Sequence, residues 1–346
     1  MNLSKEPGRF GGPGVQRRRD PGLREWRRLK YHGFDIARAS TAKGTIQFPL
    51  GGREVTAYAN ANLSIYSGQA CNAKCPFCVE ELRPACRGVK LALQKTVERD
   101  DGVYFSALEE VLRALRPLNP SVSITGGEPS LDPRLPRILR TVAEHGMRKR
   151  TITTNGSGLL ELREGRTVID WLVSTGIRHL NISRAHPATK ENARLMKLDR
   201  SMSVEDLRSV ARLSSAAGTR VRLSCVLLKG GIDCLEGMFD YLDFAERAGV
   251  DNVVFRQLML PGRLAPLPDP VALFSNENRV RLDPILDEIA EDGRFAFKKT
   301  VIGYYYYVEV WTYRGIDVVL EEADLGQIEI AKRAMPGIIQ ELIFHP

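Results

Sequence analysis

Downstream of residue 61 the chain repeats one rhythm: a short apolar run, a loop, then a stretch with apolar residues at helical spacing. The apolar runs at residues 63–66, 122–125, 151–154, 179–183, 221–228 and 252–258 read as strands. Amphipathic stretches at 135–144, 168–175 and 234–248 read as helices, and Gly146, Gly176 and Gly249 follow them where a left-handed residue ends a helix. Ser106 with Glu109 has the spacing of a capping box and predicts a helix running toward Leu115. Ser203 with Asp206 predicts another that closes at Gly218. Strands alternating with helices predict a parallel sheet with right-handed crossovers. Six such units predict an α/β fold, a partial (β/α)6 TIM-like barrel.

The flanks break the rhythm. Residues 45–50 and 53–58 alternate on either side of Gly51-Gly52, which predicts a hairpin against the main body. Residues 299–313 form a β-rich run containing Tyr304, Tyr305, Tyr306 and Tyr307. Arg314-Gly315 makes a turn, residues 316–320 return as a strand, and 328–335 are helical. The organisation expected is a basic arm at 1–40, the barrel with its preceding hairpin at 41–262, and a substrate-covering β-hairpin and helix extension at 263–346.

Composition changes this picture little. The chain has 346 residues, of which 43% are hydrophobic, ordinary for a globular protein with a core. Its net charge is +8, but residues 1–30 carry nine basic residues against three acidic ones, a net +6, so the barrel region is near neutral. The arm, rich in Gly and Pro, reads first as a solvated tail; nucleic acid is the lesser reading for it. No apolar run approaches the roughly 18 residues of a membrane span. Arg17-Arg18-Arg19 lacks the apolar segment of an export signal, so a cytoplasmic location and no membrane partner are expected. Six cysteines without an export signal predict reduced thiols.

Three of those cysteines need their own explanation. Cys71, Cys75 and Cys78 follow the first barrel strand at C-x3-C-x2-C spacing. Soft thiolates favour iron–sulfur or zinc. Three thiolates on one loop can ligate three irons of a cubane and leave the fourth open to a ligand. A four-cysteine zinc site completed by Cys86 is the competing arrangement. Cys225 and Cys234 read as ordinary thiols.

With Phe77 before the last cysteine, the motif resembles that of the radical S-adenosylmethionine superfamily. Further matches fall in order at strand ends: Gly126-Gly127-Glu128-Pro129, Thr153-Thr154-Asn155-Gly156, and Ser183-Arg184. Cys225 to Gly230 and Arg256-Gln257-Leu258-Met259 are similar to the fifth and sixth strands of the molybdenum-cofactor biosynthesis protein A group. That group binds a second cluster through C-terminal cysteines, whereas this chain has no cysteine after Cys234, so neither a second cluster nor that group's substrate is carried over.

The resemblance implies one [4Fe-4S] cluster on Cys71, Cys75 and Cys78 and S-adenosyl-L-methionine bound by Phe77, Gly126, Gly127, Glu128, Pro129, Thr154, Asn155, Ser183, Arg184 and Met259, with Arg184 pairing its carboxylate. It implies an enzyme that cleaves S-adenosylmethionine reductively to a 5′-deoxyadenosyl radical, fed by an external one-electron donor such as a flavodoxin or ferredoxin. Lys229, Arg256 and Gln257 are the substrate-orienting candidates. A small metabolite or free amino acid is the expected substrate; modification of a peptide or transfer RNA is the alternative. A non-catalytic zinc- or cluster-binding interaction protein is the reading from another class.

Overall fold

The computed structural model describes residues 44–66, 71–82, 98–259, 269–302 and 305–344. Strands β1 (Thr45–Leu50) and β2 (Arg53–Tyr66) form the expected hairpin, but β2 runs unbroken into the first barrel strand. Asn60 and Asn62 interrupt the apolar pattern without interrupting the strand, because Ala57, Ala61, Leu63 and Ile65 still reach the core.

The sheet continues through β3 (Ser121–Thr125) and β4 (Lys149–Thr154). After a two-stranded ribbon, β5 (Leu162–Arg163) with β6 (Arg166–Thr167), come β7 (His179–Ser183), β8 (Arg220–Leu227) and β9 (Asn252–Gln257). Neighbours in the order β2-β3-β4-β7-β8-β9 are all parallel. Helices connect them: Asp101–Ala114, Leu135–Glu144, Val168–Ser174, Thr189–Met196, Val204–Ala216 and Leu235–Arg247. The result is the α/β partial barrel that the alternation implies.

The first of these helices starts earlier than its supposed capping box. Asp100 is the N-cap and accepts from Val103 N at 3.0 Å, while Ser106 is exposed in the second turn. The apolar stripe at Tyr104, Phe105, Leu108 and Leu112 needs the helix from that point. Ser203 does cap its helix, accepting from Asp206 N at 3.0 Å.

The C-terminal segment joins the same sheet. The run at 299–313 divides into β10 (Phe295–Ile302) and β11 (Tyr306–Tyr313), with Tyr304 outside the described residues. β12 (Ile316–Ala323) pairs antiparallel with β11 and parallel with β9, so it acts as a seventh parallel strand. After helix Leu325–Ala334, β13 (Ile338–Phe344) pairs parallel with β2 at the opposite edge. Among the described residues no pairing links β10 to β1 or β13, so the sheet is open. No described helix is long and apolar enough to cross a membrane.

The two faces of the sheet differ. On β8 every second residue, Val221, Leu223, Cys225 and Leu227, is buried in the core shared with the helices. Arg220, Arg222, Ser224 and Val226 lie on the other, inner face and are only half-buried. Stability therefore rests on the helix-side layer. Leu223→Ala, which empties a fully buried site in that layer, is expected to cost about 2–5 kcal/mol, read as a lower urea midpoint with an unchanged slope.

Candidate functional site

Cys71, Cys75 and Cys78 lie between β2 and the short helix Val79–Leu82, at the carboxyl end of the sheet. Cys71 is exposed and the other two half-buried. Ala73 N reaches Cys71 Sγ at 3.4 Å, and Cys78 N donates to Cys75 O at 3.2 Å. Lys74 N donates to Met196 O at 3.2 Å, with Cys75 Sγ 3.5 Å from the same oxygen, which docks the loop on helix Thr189–Met196. A small apolar cluster of Ala73, Ala185, Leu195, Met196, Leu228 and Leu258 backs it, and Phe77 stacks toward Phe274 at 6.3 Å.

This environment disfavours bare thiolates. Burial pushes the Cys75 thiol up to about 12, and repulsion from Cys78 and Cys71 adds to it. A thiolate at Cys75 is stabilised by a nearby cation, which fits a metal centre. Among the described residues no three His, Cys, Asp or Glu side chains converge as ligands of one metal ion. A cubane asks something different, three thiolates on three separate irons. Cys86, the fourth ligand of the competing zinc arrangement, lies outside the described residues.

The second loop leaves β3. Gly126 and Gly127 both have positive φ, +79° and +57°. A Cβ on Gly126 would sit 2.2 Å from Cδ1 of the fully buried Tyr66 ring. The Tyr66 hydroxyl donates to Glu80 Oε2 at 2.5 Å, so one side chain braces both the glycine loop and the helix after the cysteines. Nothing in the sequence motif singled out Tyr66.

Glu128 is 1% exposed, and its carboxylate turns inward. It accepts from Ser130 N at 2.9 Å, Ser130 Oγ at 2.6 Å, Asn155 N at 2.6 Å and Thr154 Oγ1. Burial raises its pKa, and the four hydrogen bonds pull it back. Ser130 Oγ in turn accepts from Gly158 N at 3.0 Å, and Pro129 opens the 3-10 turn Pro129–Leu131. Glu128 thus fastens the β3 loop to the β4 loop.

Asn155 extends this link to the cysteines. Its Nδ2 donates to Asn72 Oδ1 at 2.8 Å and lies 3.9 Å from Cys71 Sγ. Its Oδ1 accepts from Ser157 N at 2.9 Å and Ser157 Oγ at 2.6 Å. The loops after β2, β3 and β4 are one hydrogen-bonded assembly.

The other expected residues are placed as follows. Ser183 ends β7 on the inner face, opposite Ser224, and Met259 is half-buried just past β9. Arg184, expected to pair with a ligand carboxylate, is 2% exposed. Its guanidinium donates to the main-chain oxygens of His186 (3.0 Å), Met202 (2.9 Å) and Pro187 (2.9 Å) and lies over the Phe244 ring. Lys229 lies off the inner face and donates from Nζ to Glu277 O at 2.9 Å, at the end of helix Pro270–Asn278. Gln257 is buried and accepts from Leu282 N at 2.6 Å, holding the start of helix Leu282–Glu291. Of the three substrate-orienting candidates only Arg256 projects onto the inner face, where it meets Glu321 at 3.2 Å. The carbonyls and helix ends that engage the others come from distant segments, which strand-end motifs do not reveal.

The inner face is polar across its first strands. In register lie Ser64, Ser123, Thr151, His179 and Arg220, and next to them Asn181 with Arg222. A filled barrel would carry branched apolar side chains there.

A model of the Radical SAM superfamily matches residues 65–242. The GTP 3′,8-cyclase of Stenotrophomonas maltophilia (strain K279a) is 27% identical over 231 residues, 65% of this chain and 61% of the cyclase. The chain therefore spans about three fifths of that relative's length. Among solved structures it is similar to Streptococcus suis SuiB, at 24% identity over 57% of this chain and 39% of that one, with a TM-score of 0.41. It is also similar to coproporphyrinogen III oxidase (HemN) from Escherichia coli, at 18% identity over 68% and 52%, with a TM-score of 0.42.

Two expectations follow from this geometry. Gly126→Ala meets both the positive φ and the Tyr66 ring and should cost about 2–4 kcal/mol. A double-mutant cycle with Tyr66→Ala should show a coupling that recovers part of that loss. Burial pushes the His179 imidazole down to about 4, and Lys149, Arg222, Arg220 and Arg178 push the same way. The unfolded imidazole titrates near ~6.5. Between these values the unfolded chain binds the extra proton, so stability falls as pH drops through this window. The difference between wild-type and His179→Asn unfolding free energies, measured from neutral pH downward, should shrink across it.

Proposed function

The chain belongs to the radical SAM superfamily, and on that premise we propose that it is an enzyme that abstracts hydrogen from a small polar metabolite or free amino acid. The observation that carries this reading is the continuous link from Glu128 through Asn155 and Asn72 to the cysteine loop, which gathers three strand-end loops at one edge of a polar sheet face.

In this reading Cys71, Cys75 and Cys78 hold one [4Fe-4S] cluster, and the glycine loop receives the methionine end of S-adenosylmethionine. When bound, and given one electron by an external donor of flavodoxin or ferredoxin type, these cofactors supply hydrogen abstraction by a 5′-deoxyadenosyl radical. The chain's own residues prepare the site for that chemistry. Gly126 and Gly127, lacking side chains, leave their main-chain groups open to a ligand. Phe77 and Phe274 keep water from the cysteine loop. Ser183 and Met259 border the space between that loop and the inner face. Arg256, balanced by Glu321, is the polar group on β9 that can orient a substrate. The C-terminal segment contributes to the same face through β12 rather than acting only as a cover.

Anaerobic reconstitution tests the reading. Wild type should take up iron and sulfide as one cubane per chain and release 5′-deoxyadenosine from S-adenosylmethionine with a strong reductant. Cys71→Ala, Cys75→Ala and Cys78→Ala should each abolish both. A wild-type chain that holds zinc, shows no cluster absorbance and releases no 5′-deoxyadenosine would sink it in favour of a non-catalytic metal-binding role.

A further inference from the structure

The opposite end of the inner face carries a charge pattern that the cysteine site does not explain. Lys149 begins β4, His179 begins β7, and Arg222 is the third residue of β8. All three occupy inner-face positions, since Ile152, Leu180, Ile182, Val221 and Leu223 alternate with them into the helix-side core. Lys149 lies in the field of Arg222, Arg178 and Arg148, and His179 in that of Lys149, Arg222, Arg220 and Arg178. Arg148 reaches the same corner, with Nη2 at 3.3 Å from Ser121 Oγ, and Ser121 is the register partner of Lys149.

Neighbouring cations elsewhere on this face have counter-charges. Arg220 meets Asp251 at 3.2 Å and Asp317 at 2.9 Å, Lys298 shares Asp317, and Arg256 meets Glu321. Among the described residues no carboxylate comes within ion-pair distance of Lys149 or Arg222. Arg222 uses only Nε, toward the neutral amide oxygen of Asn252. Two buried polar atoms on the same face, His179 Nδ1 and Asn181 Oδ1, have no hydrogen-bond partner among the described residues. The half-buried Arg222 and the exposed Lys149 repel as like charges, and orphaned buried polar atoms cost free energy. A ligand that brings negative charge and hydrogen-bonding atoms relieves both.

We propose that the amino-terminal end of the inner face, bounded by Lys149, His179, Asn181 and Arg222, binds an anionic group of the substrate, a carboxylate or a phosphate. The substrate assignment rests on the reading above; the anion site does not. A small group that reaches the sheet face meets the covered His179 Nδ1 and the half-buried Arg222, whereas a nucleic-acid backbone would meet only the exposed Lys149, Arg148 and Arg178. His179 and Ser183 are four residues apart on β7, so the anion site lies about 13 Å along the strand from its carboxyl end. The substrate would then be elongated, with its anionic end away from the cysteines.

Calorimetric titration of the full cluster-loaded chain with pyrophosphate and with succinate tests the site. Wild type should bind at least one saturably, and the tighter probe distinguishes phosphate from carboxylate. Lys149→Gln and Arg222→Gln should each weaken binding about tenfold, while Lys149→Arg should retain most of it. Far-ultraviolet circular dichroism and the cluster spectrum check that each variant is folded. Saturation should also raise the pKa of the His179 imidazole, followed by NMR with His179→Asn as the assignment control. The proposal is overturned if neither probe binds saturably, or if Lys149→Gln/Arg222→Gln binds as tightly as wild type. It is equally overturned if a single-stranded RNA binds and neither probe displaces it. Failure of wild type to release 5′-deoxyadenosine would count against the radical reading alone, since these titrations do not depend on turnover.

Discussion

The candidate site depends on a buried carboxylate. Glu128 has almost no contact with water, and four donors from Ser130, Thr154 and Asn155 surround it. Exposed pairs such as Arg140 with Glu164 contribute about 0–1 kcal/mol each. A desolvated carboxylate is different: stripping any one donor leaves a buried group unsatisfied at about 1–3 kcal/mol. The clamp is therefore close to all-or-none, and it fixes where Asn155 starts. Because the Asn155 side chain holds Asn72, the position of the cysteine loop is set two hydrogen bonds away from Glu128. Tyr66 supplies the second brace, under Gly126 and onto Glu80.

Separation of duties between the two sheet faces makes this affordable. The helix-side layer buries Leu180, Leu223, Val253 and Leu320 completely and contributes most of the hydrophobic stabilisation. The inner face is thereby freed to carry Ser, Thr, Asn, His and Arg, which no packed barrel centre would tolerate. The strands added by the C-terminal segment follow the same rule: β12 sends Val318 and Leu320 to the core and Asp317 and Glu321 to the inner face.

Much of this was legible because period and position carry it. The helix Leu135–Glu144 and the strand His179–Ser183 coincide with their apolar patterns, and the Ser203 cap follows from local chemistry. Errors arose where a local signal met a longer-range one. Ser106 with Glu109 has capping-box spacing, but the apolar stripe had already begun at Tyr104, so Asp100 capped the helix instead. The polar Asn60 and Asn62 suggested two strands where partners on both sides sustain one. The pattern assigns no element to β13, since Ile338–Phe344 becomes a strand through its pairing with β2, nearly three hundred residues earlier. The same limit applies to side chains. The motif marks Arg184 and Gln257 by position, but which carbonyl or amide each meets depends on segments folded in from elsewhere.

Charge along the inner face follows a single logic from end to end. Arg220, Arg256 and Lys298 are paired with Asp251, Asp317 and Glu321, whereas Lys149 and Arg222 have no ion-pair partner among the described residues. The surplus falls at Lys149 and Arg222, because the residue facing Arg222 from β9 is Asn252. An aspartate of the same shape there would have neutralised it. At the carboxyl end the imbalance is reversed: Cys71, Cys75 and Cys78 lie close together, and burial beside an apolar cluster disfavours a charged Cys75. Among the described residues neither Lys149 nor Arg222 has an ion-paired carboxylate, and Glu321 and Asp317 favour the charged Arg222 only from farther away. A cation at the cysteines and, as proposed above, an anion near Lys149 and Arg222 would each relieve like-charge repulsion.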